Sequence, residues 1–313
     1  KDGDIIMNKV NSVIFVGSKE LGFKVLKSMF ALAPDRLVAC ITIDDSKDTR
    51  SCFKLMCDFC AINNIKIYTL SRPSEINDVI YSIKPDICFV VGWYFLINKA
   101  VMDSIPYGIL GIHNSLLPKY RGFAPLVWAI INGEEETGFS LFSFTDKMDE
   151  GPIWASKKIK IGETDYISDI IYKIEIEVEK LFNESYLDIL DRKITPKKQE
   201  NILPSYCGKR NPNDGNINWN KGAEAVYNFI RAQSRPYPGA FTYLKGEVLK
   251  IWRASIYPNT YYGSPGQVGN ISDDGVTIIC GDNKAILLEE VELGCESGKP
   301  KDIIKSLDLR LGV

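Results

Sequence analysis

The chain has 313 residues, with 38 basic and 40 acidic side chains, 45% hydrophobic residues and a single histidine, His113. These are proportions of a globular fold of roughly two domains, and one imidazole excludes every site that needs two, including HExxH zinc centres and facial iron triads. A net charge of −2 and a pI near 5.7 argue against a protein coated by nucleic acid, while leaving a small anionic ligand open.

At the N-terminus, Lys1-Asp2-Gly3-Asp4 does not fit a secretory signal, and Met7 reads as an internal start. Ser12 to Val16 predicts a strand that stops at Gly17-Ser18, with Ser18 placed to cap a helix carrying Leu21, Val25, Leu26 and Phe30. A strand over 37–43, a helix over 52–63, a short strand over 65–68, a helix from Ser74 and a strongly apolar strand over 86–92 follow. Apolar strands alternating with amphipathic helices predict an open α/β domain with a mostly parallel sheet covered on both faces. Such sheets bind ligands at the carboxyl ends of their strands. The longest apolar run, Ile87 to Ile97, is roughly half of a bilayer span and reads as buried structure, so no membrane span is expected. Gly17 to Gly22 lacks the full dinucleotide-binding glycine pattern, and no phosphate-binding P-loop follows.

A strand over 107–112 leads into His113-Asn114-Ser115-Leu116-Leu117-Pro118-Lys119-Tyr120-Arg121-Gly122. A helix over 124–131 and a strand over 138–144 come next, then the acidic loop Asp146 to Gly151. A long helix over 165–190, capped near Thr164 or Asp165, closes a first domain of residues 1–190. Residues 191–221, rich in Lys, Arg, Pro and Asn, read as a positively charged linker. Residues 222–313 carry one short helix over 223–232 and five strands (240–243, 248–252, 266–271, 275–280, 285–291), which predicts a small, barrel-like or partly open β-domain. The eight cysteines suit reduced thiols in a cytoplasm, and Cys57-Asp58-Phe59-Cys60 reads as two buried helix cysteines because no partner pair completes a zinc site.

His113 stands where an apolar strand meets a loop, the place where α/β sites form. If the strand before the acidic loop is its neighbour, Asp149 can orient the imidazole and stabilise its protonated form.

The stretch from His113 through SLLPKYRG, Ala124-Pro125-Leu126, Trp128-Ala129-Ile130, Asn132-Gly133-Glu134 and Glu136-Thr137-Gly138 to Asp149-Glu150-Gly151 resembles the 10-formyltetrahydrofolate-dependent formyltransferases. Arg231-Ala232, Pro236 to Phe241 and Lys250-Ile251-Trp252 resemble the C-terminal domain, of the small barrel (OB) type, that the tRNA and sugar branches of that family share. The resemblance implies transfer of a formyl group from N10-formyltetrahydrofolate to a primary amine, with no metal. It makes 1–190 the catalytic domain and His113 and Asp149 the centre. Where the family has asparagine two residues before the histidine, this chain has Gly111. Asn114 or Asn132 then supplies the amide, or His113 and backbone N–H groups suffice, or the chain is a weakened relative. The resemblance places the folate against Trp93, Tyr94, Phe95 and Leu96 and against Ser143, Phe144 and Thr145, with Leu116 as a further wall.

For the acceptor, Ser115, Lys119, Tyr120, Arg121 and Gly122, with Lys209, Arg210 and Tyr237, resemble the sugar-nucleotide branch. Residues 254–300 carry Lys284 and Lys299 against seven acidic side chains, a poor match to a tRNA. The expected partner is a nucleotide-linked amino sugar, dTDP favoured over UDP, with no nucleic acid. The resemblance also implies a homodimer, and the cysteine usage places the protein in a cytoplasm.

Overall fold

A computed structural model describes residues 9–199 and 203–312; Met7 and its neighbours lie outside the described residues. The elements in order are β1 (Val13–Gly17), α1 (Lys19–Leu32), β2 (Leu37–Ile43), α2 (Phe53–Ile62), β3 (Ile67–Leu70), α3 (Ile76–Ile83), β4 (Ile87–Val91), α4 (Lys99–Ser104) and β5 (Ile109–His113). They continue with β6 (Arg121–Gly122), α5 (Pro125–Ile131), β7 (Glu136–Ser143), β8 (Ile153–Lys160), α6 (Ile167–Leu190) and β9 (Tyr206–Cys207). The remainder is α7 (Ala223–Gln233), β10 (Ala240–Leu244), β11 (Glu247–Tyr257), β12 (Val268–Ile271), β13 (Val276–Ile279), β14 (Ala285–Leu293), β15 (Glu296–Gly298) and α8 (Pro300–Ile303).

Two compact units emerge, and they interleave along the chain. The first takes residues up to Gly122, Gly138–Lys158 and Tyr172–Tyr206; the second takes Phe123–Thr137, Ile159–Ile171 and everything from Cys207. This differs from a cut at residue 190. Within the second unit the physical reason is visible: Arg231 Nη1 donates to the carbonyls of Gly162 and Asp165, and Tyr166 OH donates to Ala254 O at 2.8 Å.

In the first unit a seven-stranded sheet runs β3-β2-β1-β4-β5-β7-β8. The first five strands of that order pair in parallel, and β7 joins β5 antiparallel. β1 and β4 are buried at every position because both faces are covered. On one face Ile14, Val16, Cys88 and Val90 meet Ile76 and Ile80 of α3 and Val101 of α4. On the other, the Phe89 ring packs against Phe182 and Tyr186 of α6 at 5.7 and 5.4 Å. Each fully buried phenylalanine adds about 1.5–3 kcal/mol. The sequence reading missed β8, a sheet-edge strand whose exposed Lys157, Lys158 and Lys160 hide its alternation and discourage pairing with another chain.

Between β1 and β4 the chain is so close that a Cβ on Gly17 would sit 2.0 Å from Val91 O. Ser18 occupies the N-cap of α1 but does not cap it; its hydroxyl donates to Asp45 Oδ2 at 2.7 Å. Before α6, the Asp165 carboxylate accepts from Gly162 N at 2.6 Å. Past β2, Asp48 accepts from Arg50 at its backbone N, Nε and Nη2 and from Lys19 Nζ. These donors, Arg50 foremost, hold its carboxyl well below the usual aspartate range. A depressed folded pKa adds stability above the unfolded value, about 3.9, and loses it as pH falls towards the folded value. The Tm difference between wild type and Asp48→Asn is therefore expected at pH 7 and should narrow progressively as pH falls below about 4; a difference unchanged by acid would contradict the assignment.

Cys57 and Cys60 both lie on α2, but only Cys60 is buried; Cys57 is half-buried.

The second unit holds a six-stranded antiparallel sheet, β10-β11-β14-β13-β12 with β15 on β14. Ala223, Val226 and Ile230 of α7 share its core with Ile251, Ile278 and Leu288. The second half of the expected linker belongs to this core: Trp219 is buried, and its Nε1 donates to Thr242 Oγ1 at 3.0 Å. Among the described residues no helix is long and apolar enough to cross a membrane.

Candidate active site

β5 carries the centre of the site in the first unit. Gly111 pairs with Val90 of β4 on one side and Phe142 of β7 on the other, and His113, the last residue of the strand, pairs with Ser140. Gly111 and His113 lie on the same face by alternation. At Gly111 a Cβ would fall 2.3 Å from Cε1 and 2.8 Å from Cζ of Phe144, and 3.1 Å from Val90 O. The Phe144 ring, tilted against Phe142 at 5.3 Å, therefore fills the space that a side chain at 111 would use.

His113 is buried, at 8% exposure. Its Nε2 lies 2.7 Å from the Tyr120 carbonyl. A carbonyl only accepts, so this nitrogen carries a proton, and in the neutral ring the lone pair is on Nδ1. Nδ1 faces Asp149 Oδ2 at 3.6 Å, within ion-pair reach but beyond a hydrogen bond. The same carboxylate oxygen accepts from Gly122 N at 2.7 Å, which ties the two loops together. Tyr120 and Asp149 both adopt left-handed backbone, at φ 57° and 53°.

The loop after His113 is built on internal hydrogen bonds. Ser115 Oγ donates to Lys119 O at 2.6 Å, Ser140 Oγ donates to Ser115 O at 2.8 Å, and Ser205 Oγ accepts from Tyr120 N at 2.8 Å. Arg121 is buried too. Its Nη1 meets Tyr206 OH at 3.0 Å and Glu150 Oε1 at 3.1 Å, and its Nη2 donates to Gln199 Oε1 at 2.6 Å. For the expected substrate-binding Arg121, Nη1 and Nη2 are thus engaged by its own loops while Nε is buried without a partner, and Lys119 is exposed. Ser115 is likewise turned inward.

Asn114 begins the loop just beyond the strand, so strand alternation no longer governs it, and its Oδ1 is buried without a partner. Trp93, after β4, has a buried Nε1 in the same condition. Buried polar atoms are ordinarily paired, at a cost of about 1–3 kcal/mol when they are not. Two such atoms at the carboxyl ends of adjacent strands suit a ligand that brings both a donor and an acceptor.

The aromatic run splits. Trp93 packs on the core and meets Phe95 edge-on at 5.2 Å, while Tyr94, Phe95 and Leu96 are exposed. Ser143 Oγ accepts from Trp154 Nε1 at 2.8 Å, and Thr145 Oγ1 donates to Lys147 O at 3.1 Å. Leu116 lies half-buried over Gly138.

Lys209, Arg210, Tyr237 and Asn132 belong to the second unit. There Lys209 is exposed, and Arg210 stacks on Trp128 at 5.0 Å and donates to Asp214 O. Burial lowers the Arg210 pKa. Sequence reasoning missed Gln199, Ser205 and Tyr206, which sit about 80 residues from the loop they hold. Nothing in their spacing marks them. Among the described residues no group of three His, Cys, Asp or Glu side chains is arranged to hold a metal ion.

Two family models match the chain: formyl transferase over residues 58–184 and formyl transferase, C-terminal domain, over residues 209–307. The methionyl-tRNA formyltransferase of Bacillus licheniformis is 30% identical over 77% of either chain. The bifunctional polymyxin resistance protein ArnA of Wigglesworthia glossinidia brevipalpis is 33% identical over 83% of this chain, which spans only 40% of that longer protein. Among solved structures, the sugar 3N-formyl transferase WlaRD, crystallised with dTDP and 5-N-formyl-THF, superposes with a TM-score of 0.69 at 23% identity, covering 90% of this chain and 98% of that one. The N-formyltransferase of Helicobacter canadensis, in complex with folinic acid and dTDP-3-aminofucose, gives 0.66 at 21% identity over 89% and 98%. At these identities the structural likeness carries the fold.

Proposed function

Because the chain belongs to the formyl transferase family, we propose that it formylates the primary amine of a nucleotide-linked amino sugar, dTDP favoured over UDP, using N10-formyltetrahydrofolate. The observation that carries formyl transfer is His113 held at the end of β5 with its Nδ1 turned to Asp149. The folate supplies an activated formyl carbon. Trp93 Nε1 and Asn114 Oδ1, both buried and unpaired, fit a polar ligand beside the exposed Tyr94, Phe95 and Leu96.

An attacking amine must be neutral and must lose a proton. With Nε2 engaged by Tyr120 O, His113 Nδ1 is the ring atom that takes a proton, and Asp149 at 3.6 Å balances the resulting charge. The Asn114 side-chain amide is the nearest in sequence to replace the one missing at Gly111. The sugar acceptor is supported by the loop Lys119 to Gly122, by the acidic balance of residues 254–300, and by solved neighbours whose ligands are dTDP compounds. On the first unit the exposed Lys119 is a cation for its diphosphate. A cytoplasmic setting, which suits the eight cysteines, and a homodimer, which rests on the resemblance alone, belong to the same proposal.

A second reading, methionyl-tRNA formyltransferase, is favoured by the sequence relatives of that name. Incubation with N10-formyltetrahydrofolate and either dTDP- or UDP-amino sugars or charged initiator tRNA separates them. Formylated sugar is the expected product. Product from tRNA alone would transfer the assignment to the second reading, and binding without turnover would indicate a weakened relative.

A further inference from the structure

The carboxylate that faces His113 sits on a strained turn. Asp149 adopts φ 53°, a left-handed conformation that costs a non-glycine residue about 1–2 kcal/mol. Two residues on, a Cβ on Gly151 would sit 1.6 Å from Ser143 O, so the turn is pressed against the end of β7. Such a conformation persists where its surroundings over-determine it. Gly122 N holds the Asp149 carboxylate at 2.7 Å, and one side chain holds the backbone of the turn. Gln199 Nε2 donates to Asp149 O at 2.6 Å and to Gly151 O at 2.9 Å. Its Oε1 accepts from Arg121 Nη2 at 2.6 Å.

This carboxamide cannot be reversed, because both carbonyls only accept and the guanidinium only donates. Both ends of the clamp are themselves fixed. Arg121 is buried between Tyr206 and Glu150, and the segment before Gln199 is pinned to the start of β8 by reciprocal bonds between Ile153 and Lys197 at 2.7 and 2.8 Å.

We propose that Gln199 is a positioning residue: it clamps the Asp149–Gly151 turn so that the Asp149 carboxylate faces His113 Nδ1. The inference rests on the reading of Asp149 as the partner of His113. Gln199 touches the Asp149 backbone but neither its carboxylate nor the imidazole, so its effect on transfer passes through that carboxylate and is expected to be largely lost when the carboxylate is gone.

Gln199→Glu tests this with little change of volume. The glutamate keeps an acceptor for Arg121 but sets an oxygen against two carbonyl oxygens that need a donor. Turnover is expected to fall about ten- to hundredfold with KM little changed, the range a displaced reacting group commands. In an Asp149→Asn background the same substitution should add almost nothing. The sole histidine gives a second readout that needs no substrate. In untagged protein the ring 15N resonances of His113 should move in Gln199→Glu in the same direction as in Asp149→Asn, with no further displacement in the double variant.

Ring signals at wild-type positions in Gln199→Glu would overturn the proposal. So would an undiminished effect of Gln199→Glu when Asp149 is already asparagine. Should the glutamate variant not fold, Gln199→Met, which keeps the bulk without donor or acceptor, carries the same comparison. If no acceptor amine is formylated by the wild type, the formyl-transfer reading fails while the imidazole resonances still decide the role of Gln199.

Discussion

His113→Ala is expected to lower formyl transfer by about 10²–10⁴-fold, the span of positioned general acid–base catalysis, with the fold retained. Only one imidazole exists in the chain, so no neighbouring histidine can substitute. The side chain makes one short hydrogen bond, to Tyr120 O, and losing it costs about 0.5–1.5 kcal/mol, small against the stability of a domain. Circular dichroism should therefore match wild type while the single-turnover rate falls by that factor. Retained activity would refute the role given to His113, and loss of activity together with loss of the fold would be answered by His113→Gln, which offers the Tyr120 carbonyl an amide donor without a group that can take up a proton at neutral pH.

An asparagine placed at position 111 is expected to harm the protein. The first atom of the new side chain would lie 2.3 Å from the Phe144 ring, and Val90 O closes another side at 3.1 Å. Ring tips can swing, but this one is half-buried and rests on Phe142. Overpacking of this kind costs about 1–3 kcal/mol. Gly111→Asn should lose that much in denaturant unfolding, and in a Phe144→Ala background the same substitution should cost far less. An additive pair would mean that Phe144 does not occupy the slot. Gly111 and Phe144 thus form one unit, in which an aromatic ring occupies the space that a side chain at position 111 would use.

Much of the first unit could be read from residue order. Runs such as Val13–Gly17 and Ile87–Val91 are apolar throughout because both faces of the sheet are covered, and their burial follows. The final strand escaped because Lys157, Lys158 and Lys160 lie at a sheet edge, where pairing constrains one side only. Ser18 shows a different limit. Its position at a helix start is legible, but its hydroxyl turns to Asp45, a partner 27 residues away.

By itself the sequence determined the alternation of strands and helices, the single histidine at the end of an apolar strand, and the Asp149 that could serve it, because periodicity and residue type are local properties. Tertiary structure alone decided what surrounds them. The Phe144 ring over Gly111, the Tyr120 carbonyl that fixes the imidazole proton, the inward Arg121 and the Gln199 clamp all depend on segments that meet only in three dimensions, where hydrogen-bond geometry at about 3 Å selects partners that no spacing along the chain can reveal.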